Sequence, residues 1–141
     1  MTTLLPSSPE PTTPANEASQ GLILFAHGSR DPLWRQPMES VARRLAARAP
    51  ALEVRCAYLE LTEPDLPTVA SELAARGVRR VSILPMFLGV GRHAREDLPA
   101  LVEALRQSHP ATRWDLQRPI GEDERLLDLL ATLGLDSLRS I

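Results

Sequence analysis

The chain has 141 residues, 16 basic and 18 acidic, for a net charge of −2. Residues 1–20 hold four of the 13 prolines, seven Ser or Thr and the acids Glu10 and Glu17, so residues 21–141 balance at 16 charges of each sign, and every basic residue is arginine. A neutral domain excludes a general nucleic-acid or membrane-surface binder, and no apolar run approaches the about 18 residues that a membrane-spanning helix needs. The N-terminus lacks the basic and apolar regions of a signal peptide and the arginines of a transit peptide. It is read as a disordered tail over 1–20, because it has too few large apolar residues to offset the entropy of ordering. Cys56 is the only cysteine, which excludes an intrachain disulfide and points to a reducing compartment, the cytoplasm. One domain, 21–141, follows the tail.

In chain order, residues 21–26 (GLILFA) form a continuous apolar run, the mark of a strand buried on both faces. Asp31-Pro32 offers an N-cap and first-turn proline for a helix over 33–48, which Pro50 stops. Residues 52–59 alternate Leu52, Val54, Cys56 and Tyr58 at period two, a second strand. Asp65 caps a helix through Ala75, closed by Gly77. Residues 81–88 make a third strand, whose Pro85 cannot donate to a ladder and belongs near the strand's end or beyond its partner. A loop with Gly89 and Gly91 leads into a helix over about 93–107, ended by Pro110. Residues 113–117 form a fourth strand and 122–138 a leucine-rich last helix. The alternation predicts a four-stranded parallel sheet with helices on both faces, a flavodoxin-like half-domain of probable strand order 2-1-3-4. The last helix carries Leu126, Leu127, Leu129, Leu130, Leu133, Leu135 and Leu138 on more than one stripe. It is either a well-covered terminal helix or a subunit interface.

Ligands of open α/β sheets bind beyond the carboxyl ends of the strands, where strand order reverses. There the first strand runs into His27-Gly28-Ser29-Arg30, the second ends at Glu60 and the third leads to His93. Each admits a plain alternative: His27 satisfying a turn, His93 exposed on a first helical turn, Glu60 in water. Together, two imidazoles and a carboxylate suit a borderline divalent metal such as Co²⁺, Fe²⁺, Ni²⁺ or Zn²⁺, with open positions left for a substrate. The imidazoles also accept protons near physiological pH. Asp97, one turn after His93, either orients that ring or simply favours the helix N-terminus. Arg30, Arg92 and Arg95 at the mouth point to a carboxylate-bearing ligand, unless they are ordinary solvated residues. His109, before Pro110 at a helix C-terminus, is read as structural.

Three motifs in order resemble those of the small CbiX/SirB sirohydrochlorin chelatases. They are residues 26–30 (AHGSR), residues 58–61 (YLEL) with Pro64, and residues 85–93 (PMFLGVGRH) with Asp97-Leu98-Pro99; the likeness spans roughly 21–135. The resemblance implies insertion of Co²⁺ or Fe²⁺ into sirohydrochlorin, for cobalamin or sirohaem; related archaeal members use Ni²⁺. The metal is then a substrate, and no tightly bound cofactor is expected. His27 would be metal ligand and proton acceptor, His93 the second ligand, and Glu60 a carboxylate third ligand. Leu88, Gly89, Val90, Gly91 and Arg92 would border the macrocycle, with Arg30 nearby. Larger relatives join two such units in one chain, so a single unit implies a homodimer enclosing the macrocycle, with the leucine-rich helix a contributor. The competing expectation is a non-catalytic α/β module that binds a phosphate or carboxylate at Gly28-Ser29. A histidine-based phosphatase lacks a partner motif.

Overall fold

The structure, a computed structural model, describes residues 19–139. The expected disordered tail lies outside the described residues except for its last two. Those two are ordered. Strand β1 (Gln20–Ala26) starts at Gln20, and the Ser19 carbonyl accepts from the Arg79 and Arg80 amides at 2.8 and 3.1 Å. The apolar run of β1 has the cause inferred for it, since both its faces are covered. Ile23 and Phe25 enter one buried cluster and Leu24 and Ala26 the other.

The remaining elements are α1 (Gln36–Arg48), β2 (Glu53–Tyr58), α2 (Leu66–Ala75), β3 (Arg80–Pro85), α3 (Arg92–Ser108), β4 (Arg113–Leu116), a short 3₁₀ turn (Ile120–Glu122) and α4 (Glu124–Leu138). The strands are parallel in the order β2-β1-β3-β4, the topology the alternation predicts. Helices α2 and α3 cover one face, where Val69, Leu73, Leu98, Val102 and Trp114 are buried. On the other face α1 supplies Met38, Val41 and Leu45 over β1 and β2. No described helix is long and apolar enough to cross a membrane.

The local signals mostly hold. Asp65 caps α2, its carboxylate accepting from the Thr68 amide at 2.9 Å, and Gly77 takes the positive φ (81°) that ends the helix region. Pro85 is the last residue of β3 and sits past Ile83, the residue opposite the end of β4. The His109 ring lies 3.3 Å from the Ser71 hydroxyl, and its carbonyl accepts from the Trp114 indole, so it is structural.

Two expectations need correction. The first helix does not start at Pro32. Asp31 caps only a turn, through the Leu33 amide, and α1 begins at Gln36. Pro37 explains the delay. In a helix begun at Pro32 it would lie in the interior, where it has no N–H to donate and its ring strikes the carbonyl four residues back; at the first turn it is harmless. The last helix is not a well-covered terminal helix. No residue of α4 is buried, and among the described elements its main packing is against the 3₁₀ turn. Leu129, Leu133, Leu135 and Leu138 are all more than half exposed.

Candidate active site

The carboxyl ends of β1, β2 and β3 form one edge, with the reversal of strand order between β1 and β3. His27 leaves β1 directly. Its ring is exposed to solvent on one side and stacks on buried Phe87 on the other, at a centroid distance of 4.2 Å and 29° between planes. Phe87 is in turn fixed edge-on against Phe25 of β1, at 6.1 Å. Neither phenylalanine has a freely chosen position, so the imidazole rests on a platform belonging to the core.

The loop carrying His27 is tied to the loop after β2. The Leu59 and Glu60 amides donate to the Ala26 and His27 carbonyls at 2.9 Å each, extending the β1–β2 ladder past the strands. Gly28 makes this approach feasible. Its φ is +105°, and a Cβ there would lie 1.7 Å from the Glu60 carbonyl oxygen. Thr62 then closes the two loops together. Its hydroxyl accepts from the Ser29 amide at 2.8 Å and donates to the Ser29 carbonyl at 2.7 Å.

After β3, Leu88 and Gly89 are exposed, Val90 packs on the core, and Gly91 is the extended N-cap of α3. His93 is the second residue of α3 and is exposed. Gly121 backs this loop. Its amide donates to the Phe87 carbonyl at 2.9 Å, and a Cβ at 121 would lie 1.7 Å from the Leu88 carbonyl oxygen. A groove of about 340 Å³ opens beside it, lined by Leu88, Val90, Arg95, Leu98 and Pro119 among others.

The structure thus brings His27 and the root of α3, with His93, to neighbouring strand ends, and hangs Glu60 from the His27 backbone. It does not gather a three-residue ligand set. Among the described residues no three His, Cys, Asp or Glu side chains converge closely enough to hold a metal ion. Nor does a hydrogen bond join Asp97 to His93 among the described residues, so Asp97 does not orient that ring in this conformation. Both carboxylates are exposed and free to turn into water. Arg30 and Arg95 are exposed and form no ion pair among the described residues, whereas Arg92 lies 3.3 Å from Glu96 one turn on. Burial pushes the Cys56 thiol up, which leaves it a poor source of thiolate, and pushes the Tyr58 phenol up to about 12.

Several contributors were not singled out from sequence. Phe87 lay inside a quoted motif without a role. Thr62, flanked by Glu60 and Glu63, carries no sequence signal of its own. Gly121 carried no signal, because what it approaches is non-local. A further feature is the apolar rim. Leu33, Trp34, Leu61 and Leu88 are exposed, and all leave carboxyl ends of strands, while Trp34 packs edge-on against Tyr58 at 5.9 Å. Exposed apolar side chains collected at one mouth fit a large flat ligand.

The phosphate-binding alternative does not fit this geometry. Gly28 and Ser29 precede α1 by several residues rather than sitting at its N-terminus, and the Ser29 amide is already taken by Thr62.

Residues 21–133 match the family model described as CbiX. The chain belongs to the CbiX family. Its relatives are of two sizes. It is 28% identical over 110 residues to a sirohydrochlorin cobaltochelatase of Sulfolobus acidocaldarius, covering 78% of this chain and 85% of that protein. It is also 28% identical over 112 residues to the chloroplastic sirohydrochlorin ferrochelatase of Arabidopsis thaliana, of which it spans only 50%. The crystal structure of a CbiX protein from Marinobacter aquaeolei VT8 superposes with a TM-score of 0.77 at 33% identity, covering 86% of this chain and 99% of that one.

Proposed function

We propose that this CbiX chain inserts a divalent metal, Co²⁺ or Fe²⁺, into sirohydrochlorin. The observation that carries the reading is His27: an imidazole stacked on a core phenylalanine, open to solvent at the strand-order reversal, beside the helix start that bears His93.

The chemistry follows from the residue types. Insertion exchanges two pyrrole N–H protons for one M²⁺, so the site must present the metal and accept two protons. Neutral imidazoles suit both tasks. His27 and His93 hold the incoming ion, and each takes up a proton as the macrocycle nitrogens replace it on the metal. Glu60, exposed and held by its backbone only, joins the metal as a carboxylate ligand when its side chain turns inward. Asp97 steadies His93 by the same kind of rotation. The apolar rim and the segment Leu88, Gly89, Val90, Gly91 border the macrocycle face, and Arg30 and Arg92 meet its carboxylates. The metal is a substrate that leaves with the product, and the reading includes no tightly bound cofactor.

The chain spans half of its longer relative, which supports a homodimer whose two units enclose the macrocycle. With its lone half-buried cysteine, the protein fits the reducing cytoplasm. The test mixes purified protein, sirohydrochlorin and Co²⁺ or Fe²⁺ and follows the absorbance of the metallated product. The wild type is expected to accelerate insertion. A His27→Ala variant that kept pace with it would sink the mechanism.

A further inference from the structure

Among the described residues, Leu61 alone combines a side chain with a positive φ, +63°. It sits in the loop after β2, where the Thr62 amide donates to the Glu60 carbonyl at 2.7 Å. A hydrogen bond from the third residue of a turn back to the first, around a central residue of positive φ, is the uncommon and strained form of the γ-turn. A Cβ makes that backbone unfavourable, and glycine alone adopts it freely.

The surrounding contacts enforce the turn. The Tyr58 amide donates to the Pro64 carbonyl at 3.0 Å, closing the loop at its root. The Glu60 amide donates to the His27 carbonyl, and the Glu60 carbonyl occupies the space that a Cβ at position 28 would need. On the other side of Leu61, the Thr62 hydroxyl is bonded to both the amide and the carbonyl of Ser29. Glu60 and Thr62 are each fastened to the loop that carries His27, and Leu61 must join them in a single step. Such over-determination keeps an unfavourable conformation populated.

The turn uses only the backbone of Leu61, so glycine would serve the fold better than leucine. Nor does the fold gain from the side chain, which is 55% exposed and enters neither buried cluster. A residue whose local preference opposes its conformation, with no packing to offset it, points to a task outside the chain. The side chain is apolar, so it suits an apolar surface. Its root is fixed relative to the His27 loop, so little freedom remains to be lost when that surface arrives. We propose that Leu61 is a macrocycle-contact residue: it packs against the face of sirohydrochlorin bound over His27 and sets affinity without entering the chemistry. The proposal rests on the functional reading for the identity of the ligand and on the turn for the choice of residue.

Variants at this one position separate the side chain from the backbone. Affinity for metal-free sirohydrochlorin is read from its absorbance during titration with protein, and stability from the melting temperature. Leu61→Gly removes both the strain and the contact. It is expected to raise Kd about tenfold and to raise the melting temperature by about 3 °C. Leu61→Ala removes the contact but keeps a Cβ at positive φ, so Kd should rise by a similar factor with no gain in melting temperature. Leu61→Met should match the wild type in Kd. In metal insertion, Leu61→Gly should raise KM and leave kcat at saturation unchanged. The proposal is overturned by a Leu61→Gly chain that binds the macrocycle as tightly as the wild type, or one that melts below it. A fall in kcat with KM unchanged also overturns it, by assigning the turn to holding Glu60. So does sedimentation of Leu61→Gly as a smaller species than the wild type, which would set the leucine against a second copy. A wild type that binds no sirohydrochlorin overturns the chelatase reading and this contact together. A wild type that binds and inserts metal, with Leu61→Gly its equal, removes the role of Leu61 alone.

Discussion

At the scale of single residues, the candidate site depends on side chains that hold its histidine and loops from beneath. Phe87 is the clearest. Replacing it with leucine keeps the core apolar at a stability cost of about 1 kcal/mol, but removes the flat surface under the His27 ring. The expected result is a fall in kcat for metal insertion of up to about 100-fold, the scale on which small misplacements of a catalytic group act, with the melting temperature lowered by only about 4 °C. Thr62 offers a sharper separation. Thr62→Val keeps the shape and deletes both hydrogen bonds to Ser29, leaving a partly buried amide unpaired at a cost of about 1–3 kcal/mol. Insertion by Thr62→Val should be slow, and insertion by Thr62→Ser should be close to wild type; equal rates for the two would show that the latch does not position His27. Neither residue was legible beforehand. A threonine in a loop with two glutamates reads as solvated, and only the approach of two loops 33 positions apart gives its hydroxyl a task.

At the scale of elements, the sequence was most informative where local chemistry decides the outcome. Asp65, Gly77, Pro85 and Pro110 end or begin elements because their backbone or side-chain limits act within a turn. The order of strands followed from the alternation and the handedness of crossovers. The start of α1 is ambiguous in the sequence because Asp31-Pro32 and Pro37 each mark a first turn, and only one of them can. The Asp65 cap makes a pH-dependent prediction. Its hydrogen bonds from Thr68 hold the carboxyl below the usual carboxylate range in the folded state. Since the folded value is the lower, the ionised cap contributes stability above the ordinary range, and that contribution is lost as pH falls through the range toward the folded value. Asparagine caps without titrating. The stability difference between wild type and Asp65→Asn, from denaturant midpoints, should therefore shrink as pH is lowered from neutrality into the acid range. Asp65→Ala should lose about 1 kcal/mol at neutral pH.

For the whole molecule, the even charge balance of residues 21–141 hides an uneven placement. Arg30 and Arg95 are exposed and form no ion pairs among the described residues, and in the proposed reading a polycarboxylate is drawn to them by charges that the fold does not neutralise. Salt screens exposed charges over about 8–10 Å at physiological ionic strength. Raising ionic strength should raise KM for the macrocycle with little change in kcat, and Arg30→Ala should flatten that dependence; a KM indifferent to salt would remove the arginines from recognition. The general location of the site was legible because sheet topology dictates it. The apolar rim was not, since Leu33, Trp34, Leu61 and Leu88 belong to separate loops and read singly as scattered surface residues.

Gly121 joins these scales. Its missing side chain lets the root of α4 press directly on the Leu88 carbonyl at the border of the site. One wall therefore serves as both the socket of the helix and the lip of the cleft, with no slack between them. Two events that share a rigid wall are linked, and linkage is reciprocal. If a second copy secures α4, the macrocycle should tighten self-association by the same factor by which self-association tightens the macrocycle. Sedimentation with and without ligand gives one side of that equality, ligand titration across protein dilutions gives the other, and Gly121→Ala should uncouple them.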